Sequence, residues 1–223
     1  MPFITISRMY GSNGSEVAER IAQALGWSLF DNAMVDAIAE RSGLTRAEVS
    51  EQDERVPSMV ERLASALSLG SPEVMPPVPA GPMETTEERI VAVTRRVIEE
   101  AVQTGPAVFV GRGAQCLLAE RSDALHVFCF APRSALRRWT METLGVDAAE
   151  ADRVVSDQNK QREHYVKRHW NRNWLAHENY HLCVNTAWLG IDGAAEQVLD
   201  AARRQFGMTV PALTVSPLPD AAP

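Results

Sequence analysis

The chain has 223 residues, a length that suits one domain with an insertion or two small domains and is ample for an extended hydrophobic core. Hydrophobic residues make up 45% and charged residues 23%, as in an average soluble domain, which excludes a disordered, fibrous or collagen-like chain. The formal net charge of −7 argues against nucleic-acid binding through overall charge and leaves only a local basic patch open.

The chain opens with a predicted strand, a glycine-containing loop and a helix. Residues 3–6 form a short β-rich run, and a turn-rich loop follows it. Apolar residues then recur at helical spacing over residues 17–25, with Gly26 as the expected stop. Residues 27–30 are a second strand candidate, which Asp31 closes. This order places a loop between a strand and a helix N-terminus.

Helical signals follow the second strand and then give way to a proline-rich stretch. Residues 34–40 and 59–69 have helical periodicity. Five prolines and two glycines between residues 70 and 82 predict an irregular or mobile loop, because proline removes backbone donors and fixes φ. Thr86 is then expected to cap a helix with apolar residues over 90–101.

Strands and helices alternate in the second half of the chain. Gly105-Pro106 break the preceding helix. Strands are expected over residues 107–110, 125–130 and 182–184. Helices are expected from Pro132 through Trp139, from Asp147 to about Trp170, and over residues 195–206. The Pro/Ala-rich tail from Pro211 onward is expected to be disordered.

Five short apolar strands that alternate with helices are typical of a parallel sheet covered on both faces, so we predict a three-layer α/β fold. Ligands of such sheets lie at the carboxyl ends of the strands. The Gly11 loop, Asp31, the Gly111-Arg112 turn and Pro132-Arg133 all follow strand ends. The sequence therefore predicts a site at that edge.

The loop around Gly11 has the features of an anion site. Backbone N–H groups converge at a helix N-terminus, and the helix dipole favours negative charge there. Gly11 and Gly14 allow close approach of the backbone, and Ser12 and Ser15 offer hydroxyls for phosphate or for Mg²⁺ bound to phosphate. The Walker pattern GxxxxGK[ST] is absent because the loop has no lysine, so a plain structural turn stays open as the alternative.

Two other features are cationic. Arg112 ends a buried strand, where its guanidinium either binds an anion such as phosphate or makes a structural salt bridge. The segment 153–172 concentrates positive charge, and its thin apolar stripe indicates a helix that projects from the core. One face of this helix carries Arg153, Asp157, Lys160, His164 and Lys167. The segment is either a mobile lid that closes on phosphates or a solvated charged face.

Signatures of other chemistries are missing. The three cysteines, Cys116, Cys129 and Cys183, are too few and too scattered for a disulfide framework and lack zinc-ligand spacing. His126 lies in an apolar strand and is interpreted as a core histidine. No stretch approaches the ~18 apolar residues of a membrane span, and the N-terminus lacks a signal-peptide pattern. We expect a cytoplasmic chain without a membrane or nucleic-acid partner.

Several segments together resemble the cytidylate kinase-like family, which is related to the P-loop nucleoside monophosphate kinases. They are residues 4–14 (ITISRMYGSNG), 25–31 (LGWSLFD), 109–115 (FVGRGAQ), 125–127 (LHV) and 180–186 (YHLCVNT). The resemblance implies a P-loop kinase-like fold with a five-stranded parallel sheet and helices on both faces. It also implies one domain over residues 1–210, an acceptor-binding helical insertion over about 32–89 with the proline-rich loop at 70–85, and a lid over about 146–172, before a disordered tail at 211–223.

The same resemblance implies transfer of the γ-phosphoryl group of ATP, with Mg²⁺, to a small acceptor, and the first candidate acceptor is a nucleoside monophosphate such as CMP. The ATP phosphates would contact Arg8, Gly11, Ser12, Asn13, Gly14 and Ser15, with Ser15 also at the metal. Asp31 and Arg112 would bind the acceptor. Arg112, Arg153 and Arg162 would act on the transferred group, and Arg133, Arg137, Asp157 and Lys160 would belong to the hinge and lid.

Two positions depart from the family pattern. Gly14 or Ser15 stands where the Walker lysine is expected, and Gly113 stands where cytidylate kinases carry an aspartate after the strand-end arginine. Arg8 is the only cation in the loop region and is the candidate to reach the phosphates instead. Two alternatives therefore stay open: a nucleotide-sensing or protein-interaction module on a kinase fold that has lost activity, and a kinase for a non-nucleotide acceptor.

Overall fold

A five-stranded, all-parallel sheet forms the centre of the computed structural model, which describes residues 1–31, 37–41, 43 and 86–208. The strands β1 to β5 cover Phe3–Arg8, Ser28–Phe30, Ala107–Val110, Ala124–Phe130 and Leu182–Asn185. Their order in the sheet is β2-β3-β1-β4-β5. In this register Ile6 pairs with Val110 on one side and with Val127 on the other.

Helices cover both faces of the sheet. They are α1 (Gly14–Leu25), α2 (Thr86–Thr104), α3 (Ala114–Leu117), α4 (Arg133–Leu144), α5 (Ala148–Trp170) and α6 (Thr186–Phe206), with a 3₁₀ turn over His177–Asn179. Residues 37–41 are also helical. No helix within the described ranges is long and apolar enough to cross a membrane.

The two faces of the sheet carry separate cores because side chains alternate along each strand. On one face, Ile4 and Ile6 of β1 pack with α1 and α6, whose Ile21 and Leu199 are fully buried. On the other face, Phe3 and the β3 residue Phe109 belong to the core that includes the buried apolar residues of α2. Burial on both faces explains the near-continuous apolar strands and confirms the predicted three-layer fold.

The last helix begins nine residues earlier than the apolar periodicity indicates. Asn185 caps it, since its side-chain oxygen accepts hydrogen bonds from the amides of Ala187 and Trp188. A kink at Gly190, with φ 70° and ψ 175°, separates this first turn from the amphipathic part. The predictions for the helix over 59–69, the proline-rich loop over 70–85 and the tail over 211–223 lie outside the described residues.

Helix α5 does not project from the core as its thin apolar stripe predicts. It packs along α4, and Ala151, Val155, Tyr165 and Val166 are buried. The predicted basic face is the exposed one. The side of α5 that faces the protein also carries polar residues, whose contacts form part of the site described next.

Candidate functional site

The loop between β1 and α1 is closed by Ser12. This residue is fully buried, and both its hydroxyl and its amide donate to the carbonyl of Met9, at 2.7 and 3.2 Å. The expectation that the Ser12 hydroxyl faces a phosphate is therefore corrected, because the hydroxyl holds the loop together from inside.

Two residues give this loop its sharp bend. Gly11 has φ +77°, and a Cβ built on it would lie 2.8 Å from the carbonyl oxygen of Leu136 and 3.0 Å from Oγ1 of Thr140. A side chain would thus be excluded both by backbone conformation and by contact with α4. Asn13, also left-handed with φ 54°, precedes the first residue of α1. The loop therefore sits tightly between α1 and α4.

The amides of residues 13–16 have no hydrogen-bond acceptor in the part of the chain that the structure describes. The first bonded amide of α1 is that of Val17, which donates to the Asn13 carbonyl at 3.1 Å. Four donors at the positive end of a helix form a binding site for an anion.

A cavity of about 210 Å³ lies beside these amides. The loop forms one wall of it, through Gly11 and residues 13–16. Trp139, Thr140 and Thr143 of α4 form the opposite wall, and Arg8 and Arg162 also line the space. The cavity thus combines donor groups of the backbone with two guanidinium groups, which suits a ligand with several anionic oxygens.

Helix α5 contacts the backbone of the loop at two points. The amide of Tyr10 donates to Oδ1 of Asn159 at 2.8 Å, and Nη1 of Arg162 donates to the carbonyl of Arg8 at 2.7 Å. The Arg162 guanidinium also lies over the Tyr10 ring, 5.7 Å from its centroid. These contacts hold α5 against the loop.

A second, much smaller cavity of about 10 Å³ lies where β1 and β3 end. Its lining includes Arg8, Arg112 and Arg162, the side chain of Gln115, and no carboxylate among the described residues. Arg112 is only 5% exposed. Arg8 and Arg162 line both cavities, so they lie between the two. A space of this size holds at most one water molecule, but three arginines with no carboxylate among the lining residues make it a cationic end of the sheet.

The turn that carries Arg112 is left-handed at three consecutive residues, with φ values of 71°, 56° and 69° for Gly111, Arg112 and Gly113. For a residue with a side chain this conformation costs about 1 kcal/mol. The turn is fixed to the sheet by the Gly111 amide, which donates to the carbonyl of Ile6 at 3.0 Å. Strain at Arg112 is retained where the side chain lines a cavity, which is common at functional sites.

Several of the predicted site residues lie apart from both cavities. Arg133 and Arg137 make ion pairs with Asp152, at 3.0 and 3.6 Å, which join α4 to α5. Arg153 is paired with Glu150 and Asp157 on the exposed face of α5. The structure does not place Arg153 at the transferred group, since its ion-pair partners lie on the exposed face of α5. The assignment of Arg133, Arg137 and Asp157 to a hinge and lid stays a prediction.

Two other predicted residues lie elsewhere. Lys160 lines a separate surface cavity of about 470 Å³ on the outer side of α5. Asp31 directly follows β2, next to residues 32–36 that the structure does not describe. Neither residue lines the cavity at the loop or the one at Arg112.

Residues that the sequence analysis missed complete the site. The sequence analysis did not expect Tyr10, Trp139, Thr140, Thr143 and Asn159 at this site. A signal for Asn159 does exist, because it falls on the same side of α5 as Ala151, Val155 and Arg162, at helical spacing. A polar residue on a buried stripe indicates a polar partner.

His126 is a core residue, as predicted, and not a base. It is 3% exposed, its Nδ1 lies 2.8 Å from Oγ1 of Thr5, and its ring stacks on that of His181 at 5.0 Å between centroids. Burial, with a smaller effect of His181, lowers the pKa of His126 to about 4. The imidazole is therefore neutral near pH 7.

The sequence matches the model of one protein family, described as the cytidylate kinase-like family, over residues 3–187. The match begins in β1 and ends in the first turn of α6, so it includes the loop, both cavities and all five strands. No curated protein matches the sequence.

Solved structures share the fold at low sequence identity. The crystal structure of an uncharacterized protein from Eubacterium ventriosum ATCC 27560 has a TM-score of 0.64 and 17% identity, over 91% of this chain and 98% of that one. Shikimate kinase from Bacteroides thetaiotaomicron has a TM-score of 0.52 and 14% identity, over 93% and 99%. With the parallel sheet, these similarities show the P-loop kinase-like fold that the sequence predicted.

Proposed function

The chain belongs to the cytidylate kinase-like family, and we propose that it transfers the γ-phosphoryl group of ATP to a small anionic acceptor. A nucleoside monophosphate such as CMP is the first candidate acceptor. The observation that carries the proposal is that Arg8 and Arg162 line both the cavity at the loop and the cavity at Arg112. A phosphoryl group that passes from one cavity to the other would meet both guanidinium groups.

The donor nucleotide would bind in the cavity of about 210 Å³. Its β- and γ-phosphates would accept hydrogen bonds from the amides of residues 13–16, which have no other acceptor among the described residues. These amides are fixed in place by the bend at Gly11 and by the buried Ser12. A prearranged set of donors reorganises little when the phosphates bind, and this favours both affinity and rate.

Mg²⁺ would accompany the nucleotide. The described residues contain no group of three or more His, Cys, Asp or Glu side chains that could hold a metal ion. A magnesium ion bound chiefly through substrate phosphates and water needs only one or two protein oxygens, and Ser15, with Glu16 next to it in the cavity lining, offers them. When bound, the ion neutralises charge on the phosphate oxygens.

The acceptor would place an anionic group beside Arg112. Because Arg112 is buried at the end of β3, its guanidinium would bind oxygens with little competition from water. The cavity there has a volume of only about 10 Å³, so α5 must move for a nucleotide to enter. The contacts of Asn159 and Arg162 with the loop are the ones that opening would break.

The reaction would be an in-line displacement. The bond between the γ-phosphorus and the β,γ-bridging oxygen breaks as an acceptor oxygen bonds to the same phosphorus, and ADP leaves. A phosphate monoester has its second pKa near ~6, so its oxygen is already ionised at neutral pH and needs no general base. The contribution of the protein is positioning and charge neutralisation, for which Arg8 and Arg162 are placed between the cavities.

A second candidate function is nucleotide binding without turnover. It is favoured by the glycine at position 113, where cytidylate kinases carry a carboxylate, and by the small volume at Arg112. Calorimetry with ATP and Mg²⁺, followed by an ADP-release assay with CMP, dCMP, UMP, AMP and GMP, separates the two. ADP release that depends on one acceptor supports the kinase. ATP binding without release across the panel supports the second candidate.

A further inference from the structure

We infer that Arg8 supplies, from the end of β1, the positive charge that P-loop kinases place on a lysine at the start of the following helix, and that residue 14 is a glycine because Arg8 needs its space. This inference rests on the proposed function, since it assigns the Arg8 guanidinium to the phosphates of the donor nucleotide. It makes one residue pair, Arg8 and Gly14, the replacement for the missing lysine.

The space beside Gly14 is filled by Arg8. A Cβ built on Gly14 would lie 2.5 Å from Cβ and 3.1 Å from Cγ of Arg8, and 3.0 Å from Cβ of Cys129. Contacts shorter than 3.0 Å essentially do not occur for real Cβ atoms. A lysine at position 14 would have to begin where the stem of Arg8 already lies.

The conformation of the backbone does not require glycine at this position. Gly14 is the first residue of α1 and is not among the residues with positive φ. Its neighbour Gly11, in contrast, has φ +77°. The glycine at position 14 is therefore explained by close packing and not by a special turn.

The backbone of Arg8 is held on two sides. Arg8 is paired with Cys129 in the ladder between β1 and β4, and its carbonyl accepts from Nη1 of Arg162. Arg8 also lines both cavities. A guanidinium that starts from a sheet strand is positioned more firmly than an ammonium on a flexible stem, and it binds phosphate oxygens through two donors at once.

A reciprocal exchange of the two residues tests the inference. The variants are R8A, R8G, G14A, G14K, R8G/G14K and R8G/G14A, because R8A keeps the Cβ that lies 2.5 Å from the Cβ built on Gly14 and only R8G removes it. R20A is the control, since Arg20 is paired with Asp192 and lines neither cavity. ATP affinity is measured by calorimetry, and folding by the midpoint of thermal unfolding. R8A is expected to weaken ATP binding by about tenfold to a hundredfold, the loss of hydrogen bonds between charged groups. R20A is expected to leave affinity unchanged.

The double variants separate the effect of the positive charge on ATP affinity from the effect of the space beside residue 14 on stability. G14K and G14A are expected to lower the unfolding midpoint of the otherwise wild-type chain, although helices generally favour alanine over glycine. They are expected to lower it less in the R8G background, where the Cβ of residue 8 is gone. R8G/G14K is expected to regain at least about fivefold of the affinity lost in R8G, because the charge returns from the helix, whereas R8G/G14A regains none.

The outcomes distinguish failure of the inference from failure of the proposed function. A wild-type chain that binds no ATP overturns both the proposed function and the charge assigned to Arg8. Equal ATP affinity of the wild-type chain and R8A overturns the inference alone, and so does an R8G/G14K variant that binds ATP no better than R8G/G14A. Equal destabilisation by G14A in the wild-type and R8G backgrounds overturns the claim that the side chain of residue 8 requires the glycine.

Discussion

The indole ring of Trp170 occupies the space beside Gly113: a Cβ built on Gly113 would overlap Cη2 of this ring and lie 2.5 Å from its Cζ3. Trp170 is the last residue of α5, and Gly113 immediately precedes α3. The contact therefore seats the C-terminal end of α5 on the turn that carries Arg112. The indole takes the space in which, by the family resemblance, a cytidylate kinase would carry a carboxylate.

Substitution of Gly113 by alanine is expected to destabilise the fold by about 2–4 kcal/mol, because strain at φ +69° adds to the clash with Trp170. Gly145 is the matched control. It has φ +65°, and no described atom lies within 4 Å of its built Cβ, so G145A carries only the backbone strain of about 1 kcal/mol. Urea unfolding measures both variants. Equal losses of stability would mean that Trp170 does not confine this position.

Truncation of Arg112 tests its assignment to the acceptor. We expect R112A to raise the KM for the acceptor by one to two orders of magnitude, about the effect of losing a buried charged hydrogen bond, while ATP affinity stays within about twofold. R133A is the control, since its side chain is exposed and paired with Asp152. Steady-state kinetics at saturating ATP gives the answer. A parallel loss of ATP affinity in R112A would assign this arginine to the donor cavity instead.

The variants R162A and R153A compare the side of α5 that lines the cavities with the exposed face of the same helix. R162A is expected to lower kcat by about a hundredfold or more, because this guanidinium lies between the cavities and contacts the loop. R153A is expected to change kcat by less than about twofold, since Arg153 is exposed and paired with Glu150. Single-turnover rates of phosphoryl transfer compare the two. Similar losses of rate in R162A and R153A would support the lid as the sequence predicts it.

The buried His126 predicts how stability depends on pH. Its pKa of about 4 in the folded state lies below the ordinary value of 6.5, so the unfolded chain binds the extra proton first. The free energy of unfolding should therefore fall as pH decreases from 6.5 to 4, by on the order of 3 kcal/mol from this residue.

Urea unfolding at pH 7, 5.5 and 4.5 checks this dependence, with H126Q as the comparison. The glutamine keeps a polar group near Thr5 and does not titrate, so most of the loss between pH 6.5 and 4 should disappear. Asp123, whose pKa the hydrogen bond from Arg121 lowers to about 2, contributes only at lower pH. An unchanged slope in H126Q would assign the loss to other groups.

The sheet and the loop could be predicted from the sequence because each has a local cause. The strands that became β1, β3 and β4 are apolar on both faces, and this pattern alone indicates a parallel sheet between helices. The order strand, glycine loop, helix likewise predicted the anion site at residues 11–15. Family resemblance then ordered these pieces into one fold, and the match over residues 3–187 confirms it.

The contacts between elements could not be predicted in the same way. The side of α5 that faces the protein carries Asn159 and Arg162, so its apolar stripe is thin. Hydropathy alone therefore predicts a helix that is exposed to solvent on most of its surface. Which arginines reach the site depends on the rotation of α5 about its own axis. The sequence analysis assigned the exposed face of α5 to the site because that face carries more charge. Ser12 shows the same limit, since a hydroxyl that closes its own loop has no distinguishing sequence pattern.

Titration of the wild-type chain with ATP and Mg²⁺ by calorimetry tests the central claim most directly, because the proposed binding of the donor nucleotide depends on the four amides at the start of α1. We predict measurable heat with ATP, competition by inorganic triphosphate, and loss of both when Gly11 is replaced by valine in a chain that still folds. Absence of heat with ATP and with GTP at millimolar concentrations would contradict the account.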